Sequence, residues 1–317
     1  MSSRIVFIGA ADAEAGAFEA KARRDFPNLD LFASNDRTDA LHEAHSADAF
    51  IGHHFQFDEE LLRKAPKLRW IQSLTTGTDA ILKLKALKSE VVVTSTRGMH
   101  GPQMSELVFL QMLALLRDFP RMQHNQSTHI WERWPQPLLL GKTLVIIGVG
   151  AIAEALAPRA KAFGMTVFGV SGSRRQPPAF DRIFARHEIE SAAAQADFLV
   201  VIVPHSPETE NLIDARVIAS LRPSAFLINV ARGGVLDEGA LLAALRDKRI
   251  AGAALDVFRE SPLPPAHPLW AEESIIITPH IGGMSNIYLE QAYPMVRDNI
   301  RAFLAGRSDE MLNLVIH

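Results

Sequence analysis

Thr143-Leu-Val-Ile-Ile-Gly148-Val-Gly150-Ala-Ile-Ala153 decides how this chain is read. Thr143–Ile147 is an apolar run with the length and bias of a buried strand, and a helix-like segment, Glu154–Phe163, follows. Strand, Gly-x-Gly, helix is the order that a dinucleotide site requires. Gly148 makes the tight turn, and Gly150 lets backbone approach a pyrophosphate seated on the helix N-terminus, with Ala151 and Ile152 alongside. Ala153 fills the third fingerprint position, where a small residue allows close helix–strand packing. A turn that binds nothing would not call for two glycines plus small residues at Ala151, Ala153 and Ala155.

Strand-like and helix-like segments alternate on both sides of this turn, a pattern that favours parallel sheets of βαβ units. Downstream strands are expected at Thr166–Val170, Phe198–Val203, Ala225–Val230, Gly252–Val257 and Ile275–Thr278, which with Thr143–Ile147 complete a dinucleotide-binding sheet. Upstream, Arg4–Ile8, Leu29–Ala33, Ala49–Gly52, Leu68–Ser73 and Val91–Ser95 make a second open sheet, with helices such as Glu14–Asp25 and Asp58–Lys64 between them. A long helix from Pro102 to Phe119 connects the two domains, and a last helix, Asn286–Leu304, returns to the first. The expected boundaries are 1–99, 100–284 and 285–317.

Composition narrows the chemistry. At 317 residues, 48% hydrophobic and 22% charged, the chain is globular and long enough for two domains. A net charge of -3 leaves no basic excess for nucleic acid. The absence of cysteine excludes disulfides, a thiolate nucleophile and Cys-ligated zinc, and no metal site is expected. The N-terminus lacks a secretory pattern and no apolar stretch reaches the roughly 18 residues needed to span a bilayer, so a soluble cytoplasmic protein is expected.

Three residues at the carboxyl ends of late strands carry the chemistry, on the edge where open α/β sheets hold ligands. Arg232 follows Leu227–Val230 and precedes Gly233-Gly234; Asp256 ends Ala253–Asp256; His280 follows Ile275–Thr278 and precedes Gly282-Gly283. A histidine near neutral pKa exchanges a proton with a carbonyl or hydroxyl, and an arginine fork matches a carboxylate and polarises a ketone oxygen. With a hydride carrier, these groups suit reduction of a 2-oxo acid.

The runs Asn229-Val-Ala-Arg-Gly-Gly-Val-Leu-Asp-Glu238, Gly252-Ala-Ala-Leu-Asp-Val-Phe258, Pro262-Leu-Pro264, His267-Pro-Leu-Trp270 and Thr278-Pro-His-Ile-Gly282 resemble the D-isomer-specific 2-hydroxyacid dehydrogenases, most closely the glyoxylate/hydroxypyruvate reductases. The resemblance implies an α/β fold in which a Rossmann-type dinucleotide-binding domain is inserted into a flavodoxin-like substrate domain. It also implies an NAD(P)-dependent oxidoreductase in which Arg232 binds the carboxylate and keto oxygen, His280 is the general acid/base, and Asp256 orients the nicotinamide carboxamide. Thr75-Thr-Gly-Thr-Asp79 resembles the family's substrate loop, so the backbone amides of Thr76 and Gly77 would hold the carboxylate, with Met99 nearby. Pro204, Val230, Ala231, Gly282 and Gly283 are the further cofactor contacts so implied, and a homodimer joined through the region of Trp131 and Trp134 is the family's default. Those two tryptophans, about one helical turn apart, are read as packing residues.

One position departs from the family. A Glu normally stands directly before the Pro matching Pro262 and bonds the catalytic histidine, whereas this chain has Arg259-Glu-Ser261-Pro262. Loss of that carboxylate is expected to lower the pKa of His280 and move the optimum for reduction toward acid. Either Glu260 reaches round, or Ser261 takes the Glu's place and accepts the imidazole N–H.

The cofactor's phosphate is argued from Val170-Ser-Gly-Ser-Arg-Arg175, where no carboxylate stands to take the ribose hydroxyls. Ser171, Ser173, Arg174 and Arg175 suit a 2′-phosphate, so NADP(H) is expected in preference to NAD(H); the rival reading is a solvated basic turn. His53-His54, at a strand end, would point to opposite faces and form no chelate. The leading function is NADPH-dependent reduction of a small 2-oxo acid to the D-2-hydroxy acid. Its rivals are a same-fold dehydrogenase for a bulkier acid and an NADP-binding sensor with little turnover.

Overall fold

A computed structural model describes residues 3–10, 13–172 and 176–315. Its strands are β1 (Arg4–Ile8), β2 (Asp30–Ser34), β3 (Ala49–Gly52), β4 (Trp70–Ser73), β5 (Val92–Thr94), β6 (Thr143–Ile147), β7 (Thr166–Ser171), β8 (Arg182–Ala185), β9 (Phe198–Val201), β10 (Phe226–Asn229), β11 (Gly252–Leu255), β12 (Ile275–Ile277) and β13 (Leu314–Val315). The chain divides into two compact units, Met1–Met99 with Ser285–His317, and His100–Met284.

In the first unit the sheet runs β13-β5-β4-β3-β1-β2. Its parallel part has the flavodoxin-like order 2-1-3-4-5, and β13 joins β5 antiparallel. Strict alternation along these strands feeds two cores. Ile5, Phe7, Ala49, Ile51 and Trp70 pack with the helix Tyr288–Leu304 on one face, while Val6, Ile8, Phe50, Ile71 and Val93 fill the other.

The second unit has the order β8-β7-β6-β9-β10-β11-β12, all parallel. This is a Rossmann sheet whose order reverses between β6 and β9, and ligands of such sheets sit outside the carboxyl ends at that point. Here too both faces are buried: Val145, Ile147, Leu199 and Leu227 on one, Leu144, Ile146, Phe198 and Ile228 on the other.

The structure corrects the sequence reading in three places. β8 and β13 do not stand out in the sequence, because edge strands of four and two residues carry too little periodic pattern. The connector helix is Gly101–Leu116 and stops before Phe119, since Asp118 takes a left-handed φ of 54° and a separate helix, Phe119–Ser127, starts with Pro120 in its first turn. Lastly, the dinucleotide helix spans Ala151–Ala162, so it begins directly after Gly150.

Candidate active site

Among the described residues, those of the second unit singled out from the sequence as chemical lie at or after the carboxyl end of a strand of this sheet. Gly148 follows β6 with φ 104°, a conformation L side chains rarely adopt, and a Cβ there would fall 2.7 Å from Val203 Cγ1. Gly150 caps the helix Ala151–Ala162 without help from a side chain, and a Cβ added to it would meet nothing within 4 Å. A side chain at 150 would therefore stand in open space over the helix N-terminus, where an anion finds unpaired N–H groups and the positive end of the helix dipole. These residues fit the pyrophosphate of a dinucleotide. Ala151 is exposed and Ile152 half-buried beside this opening, while Ala153 is fully buried against the sheet. Pro204 is exposed after β9, and Val230 and Ala231 are buried after β10.

Ser171 is half-buried at the end of β7, and an Arg186 guanidinium nitrogen lies 3.8 Å from where a Cβ of Gly172 would stand. The sequence missed Arg186, whose approach depends on β8. Ser173, Arg174 and Arg175 lie outside the described residues.

Arg232 is held by its own strand end. The Asn229 side chain, fully buried, accepts the Ala231 N–H at 3.0 Å and donates to the Arg232 carbonyl at 3.2 Å, while Arg232 Nη1 donates to the Ala231 carbonyl at 2.7 Å. A Cβ on Gly233 would fall 1.9 Å from the Phe258 carbonyl carbon, so the loops after β10 and β11 touch backbone to backbone.

Asp256, 1% exposed, acts on the histidine turn. Its Oδ1 accepts the Thr278 hydroxyl at 2.6 Å and the Ile281 N–H at 3.0 Å, and its Oδ2 accepts the Gly282 N–H at 2.9 Å. These bonds bracket His280, whose φ of 55° is left-handed. A Cβ on Gly282 would press on Leu107, Asp256 and Met104, and one on Gly283 would lie 3.4 Å from the ring of His100.

Although His280 is an exposed residue, partial loss of hydration around the ring is the largest cause of a pKa below its ordinary value; the positive charge of Arg232 adds to this, and Asp256 opposes it. Burial, seconded by Arg232, pushes His100 down to about 4, so a second and neutral imidazole belongs to this site. The sequence places His100 directly before a Pro-led helix but carries no signal for its burial or charge state.

Neither Glu260 nor Ser261 hydrogen-bonds His280 among the described residues; both are exposed. Their loop is anchored through Arg259 instead, whose N–H donates to Glu238 at 2.6 Å and whose guanidinium donates to Glu210 at 2.7 Å and Asn211 at 2.5 Å. The sequence reading ascribes a lowered pKa of His280 to the missing carboxylate, whereas loss of hydration and the charge of Arg232 are the causes seen here.

Thr76, Gly77 and Met99 belong to the first unit. Thr76 is exposed and Gly77 half-buried in the turn after β4, and Met99 packs on the core of Ile5 and Phe7. His53 and His54 enter a short 3₁₀ turn rather than continue a strand: His53 Nε2 pairs with Glu14 at 3.0 Å, and His54 Nδ1 with Thr75 at 3.0 Å. No metal-holding group of His, Asp or Glu occurs among the described residues.

The tryptophan pair is a correction. Residues 130–138 form no helix, being broken by Pro135 and Pro137, and only Trp134 packs, under the Arg121 guanidinium at 4.4 Å; Trp131 is 89% exposed.

A family model described as D-isomer specific 2-hydroxyacid dehydrogenase, NAD binding domain, matches residues 109–282. Among curated proteins, a glyoxylate reductase of Thermococcus litoralis is 35% identical over 259 residues, covering 78% of each chain. Among solved structures, a D-isomer specific 2-hydroxyacid dehydrogenase family protein from Aeromonas salmonicida superposes with a TM-score of 0.91 at 32% identity, over 99% of both chains. The NADPH-dependent glyoxylate/hydroxypyruvate reductase of Sinorhizobium meliloti, solved with NADP and sulfate, gives 0.86 at 25% identity over 99% of this chain and 98% of that one.

Proposed function

The chain belongs to the D-isomer-specific 2-hydroxyacid dehydrogenases, and from that premise we propose that it reduces a small 2-oxo acid of the glyoxylate or hydroxypyruvate kind to the D-2-hydroxy acid, with NADPH preferred over NADH. The observation that carries this reading is the gathering of Arg232, Asp256 and His280 on the sheet edge where Gly148 and Gly150 open a helix N-terminus.

Nicotinamide, when bound, supplies the hydride. Arg232 pairs with the carboxylate and polarises the 2-oxo oxygen, drawing the C=O electron pair toward oxygen as the carbon is reduced. His280, protonated, gives that oxygen its proton and becomes neutral, which balances the step. Asp256 holds the turn that aims the imidazole and orients the nicotinamide carboxamide. In the first unit, Thr76, Gly77 and Met99 receive the substrate.

Preference for NADPH is supported by the lack of a carboxylate at the end of β7 and by Arg186 close to Gly172. Pairing of two copies is supported by the exposed apolar side chains Ile130, Trp131, Leu138 and Leu140, and sedimentation tests it. No helix among the described residues is long and apolar enough to cross a membrane.

The test is oxidation of NADPH and NADH with glyoxylate and hydroxypyruvate, for the natural chain and for Arg232→Ala and His280→Ala. Faster turnover with NADPH, lost in both variants, is expected. Tight NADPH binding without turnover would favour the sensor reading, for which the exposed, unbonded Ser261 is the one supporting observation.

A further inference from the structure

The turn after β4 is built round one hydroxyl. Thr75 Oγ1 lies 3.1 Å from the Gly77 carbonyl oxygen, 2.8 Å from Ser73 Oγ and 3.0 Å from His54 Nδ1. A carbonyl can only accept, so the single hydroxyl hydrogen of Thr75 goes to Gly77. Both remaining contacts must then be donations into Thr75, one from the buried Ser73 hydroxyl and one from His54. His54 therefore carries its proton on Nδ1, and the Thr75 oxygen is fully used, giving one hydrogen bond and taking two.

The rest of the turn is fixed from the sheet side. Leu74 donates its N–H to Gly52 at 2.8 Å, and its carbonyl accepts the Thr96 hydroxyl at 2.7 Å and the Tyr288 hydroxyl. His54 in turn stands on a braced 3₁₀ turn: Gln56 accepts the His53 N–H at 2.6 Å and donates to the Gly9 carbonyl at 2.7 Å. One end of the turn is thus tied to β3, β4 and the residues after β5, while Gly77 is tied through Thr75 to an imidazole.

We propose that His54 is a positioning residue for substrate: the Nδ1–H it gives to Thr75 fixes the turn whose Thr76 and Gly77 N–H groups receive the carboxylate of the 2-oxo acid. The inference rests on the reading of those amides given above. A neutral hydrogen bond of this kind is worth about five- to tenfold in an equilibrium. Its loss falls on binding of the carboxylate, whereas the proton donor and the dinucleotide turn are carried by other residues.

The experiment compares the natural chain with His54→Phe, which keeps a ring and removes the donor, and His54→Asn, which returns a donor near the Nδ1 position. Three quantities are read: KM and kcat for glyoxylate with NADPH, the Kd for NADPH, and amide hydrogen exchange over residues 74–78. His54→Phe is expected to raise KM about five- to tenfold, leave kcat and the Kd within twofold, and speed exchange in the turn. His54→Asn is expected to restore both KM and exchange. Unchanged KM and exchange in His54→Phe would overturn the proposal, as would a His54→Asn that melts like the natural chain yet restores neither. If the natural chain turns over no 2-oxo acid, the functional reading fails, and the exchange comparison still decides whether His54 holds the turn.

Discussion

The Asp256 carboxylate and the Ile281 amide are joined by a 3.0 Å hydrogen bond, and the same oxygen takes the Thr278 hydroxyl at 2.6 Å, so one buried anion grips the chain on both sides of His280. Asp256→Ala leaves three donors without their acceptor, the Gly282 N–H buried and the other two partly so, and a hydrogen bond to a charged group is worth about 1.5–3 kcal/mol. Stability is expected to drop by roughly 3 kcal/mol or more, and kcat/KM about 100-fold from misplacement of the imidazole. Asp256→Asn keeps one acceptor oxygen and should lose less of both. Thermal unfolding and steady-state kinetics measured together check this, and an unshifted melting point in Asp256→Ala would refute it.

The pH profile of reduction follows from the charge round His280. Reduction needs the imidazolium, whose pKa lies below the ordinary 6.5 through lost hydration and Arg232. The rate is therefore highest at acid pH and falls as pH rises through a midpoint below 6.5. Ser261→Glu, which puts a carboxylate where the family has one, is expected to move that midpoint upward. Profiles of kcat/KM for the two proteins, recorded between about pH 5 and 9 to bracket a histidine, measure the shift.

His100 makes stability depend on acid. Unfolded, it binds a proton near 6.5; folded, only near 4, because it is buried and faces Arg232. Between those values the unfolded chain holds more protons, so this contribution is complete above 6.5 and is lost as pH falls, by on the order of 3 kcal/mol at pH 4. His100→Phe should flatten that part of the stability curve. Urea unfolding at several pH values reads it directly, and equal acid sensitivity in both proteins would contradict the assignment.

The two fingerprint glycines should respond differently to alanine. Gly148→Ala puts a Cβ at positive φ and 2.7 Å from Val203, which is expected to cost about 1–3 kcal/mol in unfolding free energy. Gly150→Ala projects into open space from an ordinary extended backbone, so its melting point should stay within about a degree while the Kd for NADPH rises. Calorimetry with a dinucleotide titration separates the two; equal loss of stability would be the contrary result.

Much of the fold is legible in the amino-acid sequence alone. The strands β1, β3 and β6 match their sequence assignments residue for residue, because each is a run buried on both faces and bounded by turn residues. Arg232 and His280 are legible because paired glycines follow them at strand ends, and Asp256 because it ends a buried strand on the same edge. The partners of Asp256 are not, since Ile281 and Gly282 meet it through backbone N–H groups that any residue but proline could supply. Nor is the state of His100, which depends on burial and on an arginine 132 positions away. Trp131 misleads because a spacing of three suggests one helix face only where a helix exists.

The antiparallel strand Leu314–Val315 has a consequence for the order in which the polypeptide matures on the ribosome. Everything the Rossmann sheet needs has been synthesised once residue 284 has been added, so that sheet can close early. The flavodoxin-like sheet, begun first, must wait with the β5 edge unpaired until Leu314 meets Thr94 and Val315 meets Val93. The piece translated first is thus the last to be sealed, and during that interval a chaperone or a second nascent chain would find an open strand edge to grasp.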